Sequence, residues 1–122
     1  MDREETLIKV IKQQAEIFLL AAREFFPFGT CLGPNDEIIP IAAYIDKKDD
    51  RPQSQPLIEM LENSLKKGLA NGDYIIGALA FDALINEKGR KYDAVIIRIF
   101  EKDNMIEKHF KYFIHEDRID FI

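Results

Sequence analysis

Glu24-Phe25-Phe26-Pro27-Phe28-Gly29 is the stretch on which the fold turns. The residue before a proline is pushed out of helical geometry, and proline has no amide hydrogen. Phe26 and Pro27 therefore end any preceding helix within about a turn. Gly29 then lets the backbone turn sharply, and a sheet begins. Three aromatics in four positions are a larger apolar payload than a solvated loop carries without a core or a partner to receive it. The commoner role for such a cluster is a buried hinge. The functional one is an aromatic anchor for another protein, with Phe26 and Phe28 as its contacts.

Upstream, Leu7, Ile8, Ile11, Ala15, Phe18, Leu19, Ala22 and Phe25 recur at threes and fours, which predicts a helix from Asp2 to Phe25 with one apolar face. Val10, Ile17 and Ala21 form a shoulder beside that stripe and widen it to about half the circumference. A helix covering one sheet needs less. The excess predicts contact with a second surface, either another element or a second copy of the chain.

Downstream, Phe28 to Leu32 and Ile38 to Ile45 read as strands joined at Gly33-Pro34-Asn35-Asp36. Pro40 cannot donate to a ladder, which makes the second strand an edge candidate. Asp46 to Gln53 reads as a charged surface loop. A second helix begins near Ser54 or Gln55, with Pro56 in its first turn, and ends at Asn71-Gly72. Its stripe of Leu57, Ile58, Leu61, Leu65 and Leu69 is narrow. Tyr74 to Ile85, Tyr92 to Phe100 and Met105 to Ile114 read as a meander turned at Lys88-Gly89 and at Asp103-Asn104.

With two-residue turns, Asp82 stands opposite Val95 and one strand from Tyr112, while Arg98 stands opposite His109. One sheet face then collects Ile76, Ala78, Ala80, Leu84, Val95, Ile97, Ile99, Phe110, Tyr112 and Ile114, interrupted by Asp82, Asp93 and Lys108. That is the expected helix-covered core. The other carries Leu79, Phe81, Ala94, Ile96, Phe100 and Phe113 among Arg98, Glu107, His109 and Lys111, a mixture that points to partial cover by a segment or a partner. The tail from His115, with Ile119, Phe121 and Ile122, is apolar enough to supply some of it.

Length and composition bound the possibilities. At 122 residues, 47% apolar and 32% charged, the chain fits one soluble α+β domain, a mainly antiparallel sheet of about five strands in the order helix-β-β-helix-β-β-β. A net charge of −5 gives a phosphate backbone little to bind, so nucleic acid is not an expected partner. Cys31 is the only cysteine, which rules out an internal disulfide and fits a reducing, cytoplasmic setting. The acidic start Met1-Asp2-Arg3-Glu4-Glu5 is unlike a secretory signal, and no apolar run reaches membrane-spanning length, so a soluble, unprocessed protein with no membrane partner is expected.

Chemistry finds few footholds. His109 and His115 share strand parity but lie about 20 Å apart along an extended chain, too far for one metal ion. No glycine-rich phosphate loop, calcium loop or serine nucleophile motif is present, and neither cofactor nor metal is expected. Cys31 has no basic neighbour in sequence and reads as apolar filler. Asp82 on an apolar face is the acid most open to a raised pKa, and with Tyr112 it frames a possible pocket. The commoner role for it is structural, bonded to loop amides. Arg98 opposite His109, with Leu79 beyond, forms a cross-strand row that fits an acidic peptide or carboxylate, although such rows are more often plain surface; Phe81 and Ile96 join it as candidate interaction-surface residues.

The Glu24-Phe25-Phe26-Pro27-Phe28-Gly29 run, Phe81-Asp82 late in a strand and Asp93-Ala94-Val95 opening the next together resemble a family of small uncharacterised bacterial proteins. That resemblance implies a bacterial cytoplasmic protein and brings no known activity. The element order also looks like the roadblock and profilin-like folds, whose sheets commonly mediate dimerisation or docking. The leading expectation is a non-catalytic protein-protein interaction module, self-associating as a homodimer through the first helix or the mixed sheet face, with an adaptor or immunity-like role suiting its size. The competing one is a small-molecule binder or enzyme built on Asp82 and Tyr112.

Overall fold

The computed structural model describes residues 2–42 and 54–122. Two helices and six strands follow in the order α1 (Arg3–Ala22), β1 (Phe28–Leu32), β2 (Ile38–Ala42), α2 (Ser54–Asn71), β3 (Ile76–Glu87), β4 (Arg90–Glu101), β5 (Asn104–Ile114) and β6 (Ile119–Phe121). The chain is α+β as the pattern implies, with one strand more than the expected five. All neighbours in the sheet are antiparallel, in the spatial order β2-β1-β3-β4-β5-β6. The expected extension of β2 to Ile45 and the loop from Asp46 to Gln53 lie outside the described residues.

Helix α1 starts where Asp2 accepts a hydrogen bond from the Glu5 amide at 2.7 Å, an N-cap that satisfies one orphan donor. It stops earlier than the proline requires. Arg23 takes a left-handed conformation (φ 62°), and its amide donates to the Leu19 carbonyl at 2.8 Å. Phe25 therefore lies beyond the helix rather than in its last turn. Gly29 makes no turn either; it is a residue of β1. A Cβ there would lie 2.7 Å from Ile41 Cγ1 and 3.0 Å from the Ala78 carbonyl oxygen, so glycine is required by close packing.

The helices lie on opposite faces of the sheet. On one, Leu7, Ile11, Ala15 and Leu19 of α1 meet Leu32, Ala78, Ala80, Val95, Ile97 and Ile99, the core face expected from strand parity. Each buried leucine or isoleucine removed from water here contributes about 1.5–3 kcal/mol. On the other, Ile58, Leu61, Leu65 and Leu69 of α2 cover Cys31, Leu79 and Phe100. Helix α2 is thus the segment that partly covers the mixed face.

The first hairpin turns at Lys88 and Gly89, both at positive φ (49° and 82°), as a twisted two-residue loop demands. It sets Asp82 opposite Val95. The second closes one position earlier than expected, with Glu101 paired to Asn104, so Arg98 faces Glu107 and His109 faces Ile96. A shift of two in partner leaves every side chain on its face, because the strand period is two.

The tail is strand β6, paired with β5 over Tyr112–Ile114. It docks on the α1 side, where Ile119 is buried and the Phe121 ring meets Tyr112 edge-on with centroids 6.4 Å apart. It does not cover the mixed face. At the other end β2 is an edge strand. Glu37 accepts from the Gly33 amide, so by alternation the nitrogen of Pro40 points away from β1, where its missing hydrogen leaves no ladder bond unmade.

Candidate functional site

Three places carry the residues that stand out in the sequence, and they differ in how completely the fold has used them. The first is the C-terminal half of α1 with the segment after it. Phe25 and Phe28 are buried and meet edge-to-face at 5.5 Å, and Phe18 packs on Phe28 at 5.4 Å. Phe26 points outward and is 55% exposed. It borders a groove of about 410 Å³ lined by Phe18, Ala21, Phe25, Phe28 and Ala42, with Glu24 as its one charged residue.

Ile17, Leu20 and Ala21 on the outer side of α1 are also exposed, Ile17 by 65%. The charges of α1 gather elsewhere. Taking 100° per residue, Glu5, Lys9, Lys12 and Glu16 fall on the flank toward β6. Lys12 marks that flank, with Nζ 3.9 Å from the Phe110 ring centre. The outer side and the flank toward β1 carry Arg3 in the first turn and then Thr6, Val10, Gln13, Gln14, Ile17, Leu20 and Ala21, which are uncharged. Gln14 identifies the β1 flank by accepting from the Thr30 hydroxyl at 3.3 Å. Beyond it Ile38, Pro40 and Ala42 of β2 are exposed on the same side of the sheet. Six strands at about 4.8 Å spacing are wider than one helix of roughly 10 Å covers.

The second place is the Asp82–Tyr112 pair. The Tyr112 hydroxyl donates to Asp82 Oδ1 at 2.7 Å, across the strand that separates them. Burial raises the Asp82 pKa, the Tyr112 bond opposes that rise, and the neighbouring charges of Asp93 and Glu24 add to it. Tyr112 is raised as well, by burial first and then by its bond to the carboxylate. Asp82 also accepts from the backbone of Ala83, so its partners are a side chain of β5 and its own strand rather than loop amides. The pair is mutually satisfied. Clefts among the described residues open elsewhere, at the groove beside Phe26 and between α2 and the β4–β5 turn.

The third is the row on the mixed face. Arg98 donates from Nε to Glu107 at 2.7 Å and lies 5.0 Å from the Phe81 ring centre. The other Glu107 oxygen is 2.8 Å from His109 Nε2. These two bonds, His109 first, hold the Glu107 carboxyl below its ordinary range. Glu107 thus already occupies the Nε of Arg98, and its charge opposes the approach of another carboxylate there. Ile96 is buried beneath this row. Phe28 and Ile96, both named as contacts from the sequence, thus belong to the core, while Phe26, Phe81, Arg98 and His109 keep some access to solvent.

Cys31 is buried and its thiol is pushed up to about 12 by desolvation, which removes it as a nucleophile. Among the described residues no cluster of three metal-ligating side chains is present, and no helix is long and apolar enough to cross a membrane. Sequence reasoning did not find Leu20, which the outer face adds to Ile17 and Ala21; plotting α1 from Ala15 at the centre of its buried side would have placed it. Compared with family models, with characterised proteins and with solved structures, the chain matches none.

Proposed function

We propose that this protein is a non-catalytic interaction module that self-associates through the outer side of α1 and the adjoining Phe26 segment. One observation carries the reading: Ile17, Phe18, Leu20 and Phe26 are all exposed over the C-terminal half of α1 and the segment that follows it. Scattered exposed apolar residues need no explanation, but a contiguous set on one side of a helix is a common mark of an interface. A cytoplasmic adaptor or immunity-like role is the setting in which such a module works. The competing reading, a small-molecule binder or enzyme, rests on Asp82 and Tyr112, which already satisfy one another.

Light scattering across a concentration series tests this. The average mass should rise from the 14.2 kDa of one chain toward twice that value, and Ile17→Glu should hold it at the lower limit. A wild-type protein that stays at one chain's mass up to the highest soluble concentration would sink the proposal. A ligand thermal-shift screen in which stabilisation depends on Asp82 would transfer support to the competing reading.

A further inference from the structure

We infer that the free edge of β5 is a further binding surface, one that takes an extended, basic peptide as an added strand. It uses backbone groups at a sheet edge, and so goes beyond the self-association proposed for α1. Strand β6 already occupies part of this edge. It covers only Tyr112 to Ile114, with one more bond from the Ile122 amide to the Lys111 carbonyl at 2.9 Å. From Asn104 to Phe110, roughly 20 Å of strand, β5 has no neighbour on its outer side among the described residues. In a two-residue hairpin the closing residues, here Glu101 and Asn104, form a hydrogen-bonded pair, so alternation turns Asn104, Ile106, Lys108 and Phe110 toward β4. Met105, Glu107 and His109 therefore aim their amides and carbonyls outward, in phase with Lys111, and find no backbone partner among the described residues. The opposite edge of the sheet is guarded: the outward position at the centre of β2 is Pro40, which has no hydrogen to offer.

An extended peptide fits this edge, and the same edge of a second copy does not. Two β5 strands paired about a two-fold axis at Ile106 leave His109 against Asp103, a turn residue. An axis at Glu107 sets two carboxylates side by side. An axis at Lys108 sets two lysines together and puts Met105 in the place that Ile122 fills. A separate strand antiparallel to β5 meets none of these obstacles and satisfies all three outward residues. Counted from the Phe110 end, its first and fifth side chains lie on the α1 side of the sheet beside Phe110 and Ile106, both half-buried and apolar. Its fourth stands on the other side opposite Glu107, whose inner neighbour is Arg98 at 2.7 Å. A cation there completes a row of alternating charge, and the net charge of −5 favours a basic segment over an acidic one. The edge thus selects a segment that is apolar at its first and fifth positions and basic at its fourth.

Titrating the full chain with the synthetic peptide acetyl-Val-Thr-Thr-Lys-Val-Thr-Lys-amide, followed by NMR and amide hydrogen exchange, tests this. Binding should slow exchange at Met105, Glu107 and His109 and leave Ile106, Lys108 and Phe110, already bonded to β4, unchanged. N-methylation of the second and fourth peptide residues, whose amides face β5, should weaken binding by about tenfold or more. The same change at the third and fifth residues, whose amides face away, should be tolerated. Glutamate in place of lysine at the fourth position should weaken binding by about threefold or more.

No binding at millimolar peptide, equal losses from the two methylation patterns, or protection that misses the alternating amides overturns the added strand. Protection of those amides in the free chain that grows with protein concentration gives the edge to a second copy and overturns it as well. A chain that stays monomeric yet binds the peptide in this pattern sinks self-association through α1 and supports the present inference.

Discussion

The two helices have nearly the same length and cover the same sheet from opposite sides, yet they spend their apolar residues differently. Helix α2 buries Leu57, Ile58, Leu61, Leu65 and Leu69 and exposes one large apolar side chain, Met60. Helix α1 buries Leu7, Ile11, Ala15 and Leu19 and leaves Ile17, Phe18 and Leu20 in contact with water. Both therefore dock through a single stripe, and α1 has the larger apolar surface beyond what docking uses. The contrast separates residues that hold the fold from residues that remain to be explained by a partner.

The largest expected effects test whether the two docked stripes are equivalent. Ile11→Ala in α1 and Leu65→Ala in α2 each remove a fully buried side chain. Each should lower the unfolding free energy by about 2–5 kcal/mol, measured by urea denaturation. A cost below about 1 kcal/mol for Ile11→Ala alone would mean that α1 is only loosely seated. The comparison would then collapse, since its exposed residues would reflect poor docking rather than a second surface.

An intermediate effect sharpens the account of the α1 face, which holds the half-buried carboxylate of Asp82 among its core residues. Tyr112→Phe removes the hydroxyl that donates to Asp82 and should cost about 1–2 kcal/mol at neutral pH. It should also move the Asp82 titration further up, because the bond it removes is what opposes the effect of burial. The sign follows from linkage. A carboxyl with a raised folded-state pKa contributes stability that is present below its unfolded value and lost as pH rises through its folded one. Asp82→Asn should abolish that decline. Glu107 acts in the opposite sense: its contribution is present above the ordinary glutamate range and is lost as pH falls through its lowered value. Carboxyl titration by NMR, with unfolding curves at several pH values, reads both.

How much of this was legible depended on how local each cause is. The bounds of α2 follow from Pro56 in its first turn and from Gly72, whose φ of 81° ends it, and the sequence states both outright. The end of α1 at Arg23 was hidden, because nothing in an arginine announces a left-handed conformation, and the proline four residues later offered a plausible but later stop. The second hairpin slipped because Lys102, Asp103 and Asn104 are all good turn residues, and only the pairing of Glu101 with Asn104 chooses among them. Strand parity survived the slip, which is why Asp82 and Tyr112 still meet although their predicted rows were offset. β6 is three residues long, too short for alternation to show, and its pairing depends on an edge of β5 that no local pattern displays. For the candidate surface, the shoulder of α1 was readable as an excess, while the division of the aromatics into buried Phe25 and Phe28 and exposed Phe26 required the strand that follows.

The smallest effect on stability is the most informative about α1. Ile17→Gln and Met60→Gln replace exposed side chains on the two helices, and Gln keeps comparable helix propensity in both. Each should change the unfolding free energy of the monomer by no more than about 0.5 kcal/mol. Their effects on association should part company: Ile17→Gln removes an exposed side chain from the face proposed to associate, whereas Met60 lies across the sheet from it. Sedimentation of both variants at one concentration should therefore show Met60→Gln assembling like the parent and Ile17→Gln shifted toward single chains. Equal loss in both would relocate the contact to the α2 side, and no loss in either would remove α1's surplus as the reason for association, because an apolar residue that can be made polar without consequence is not at an interface.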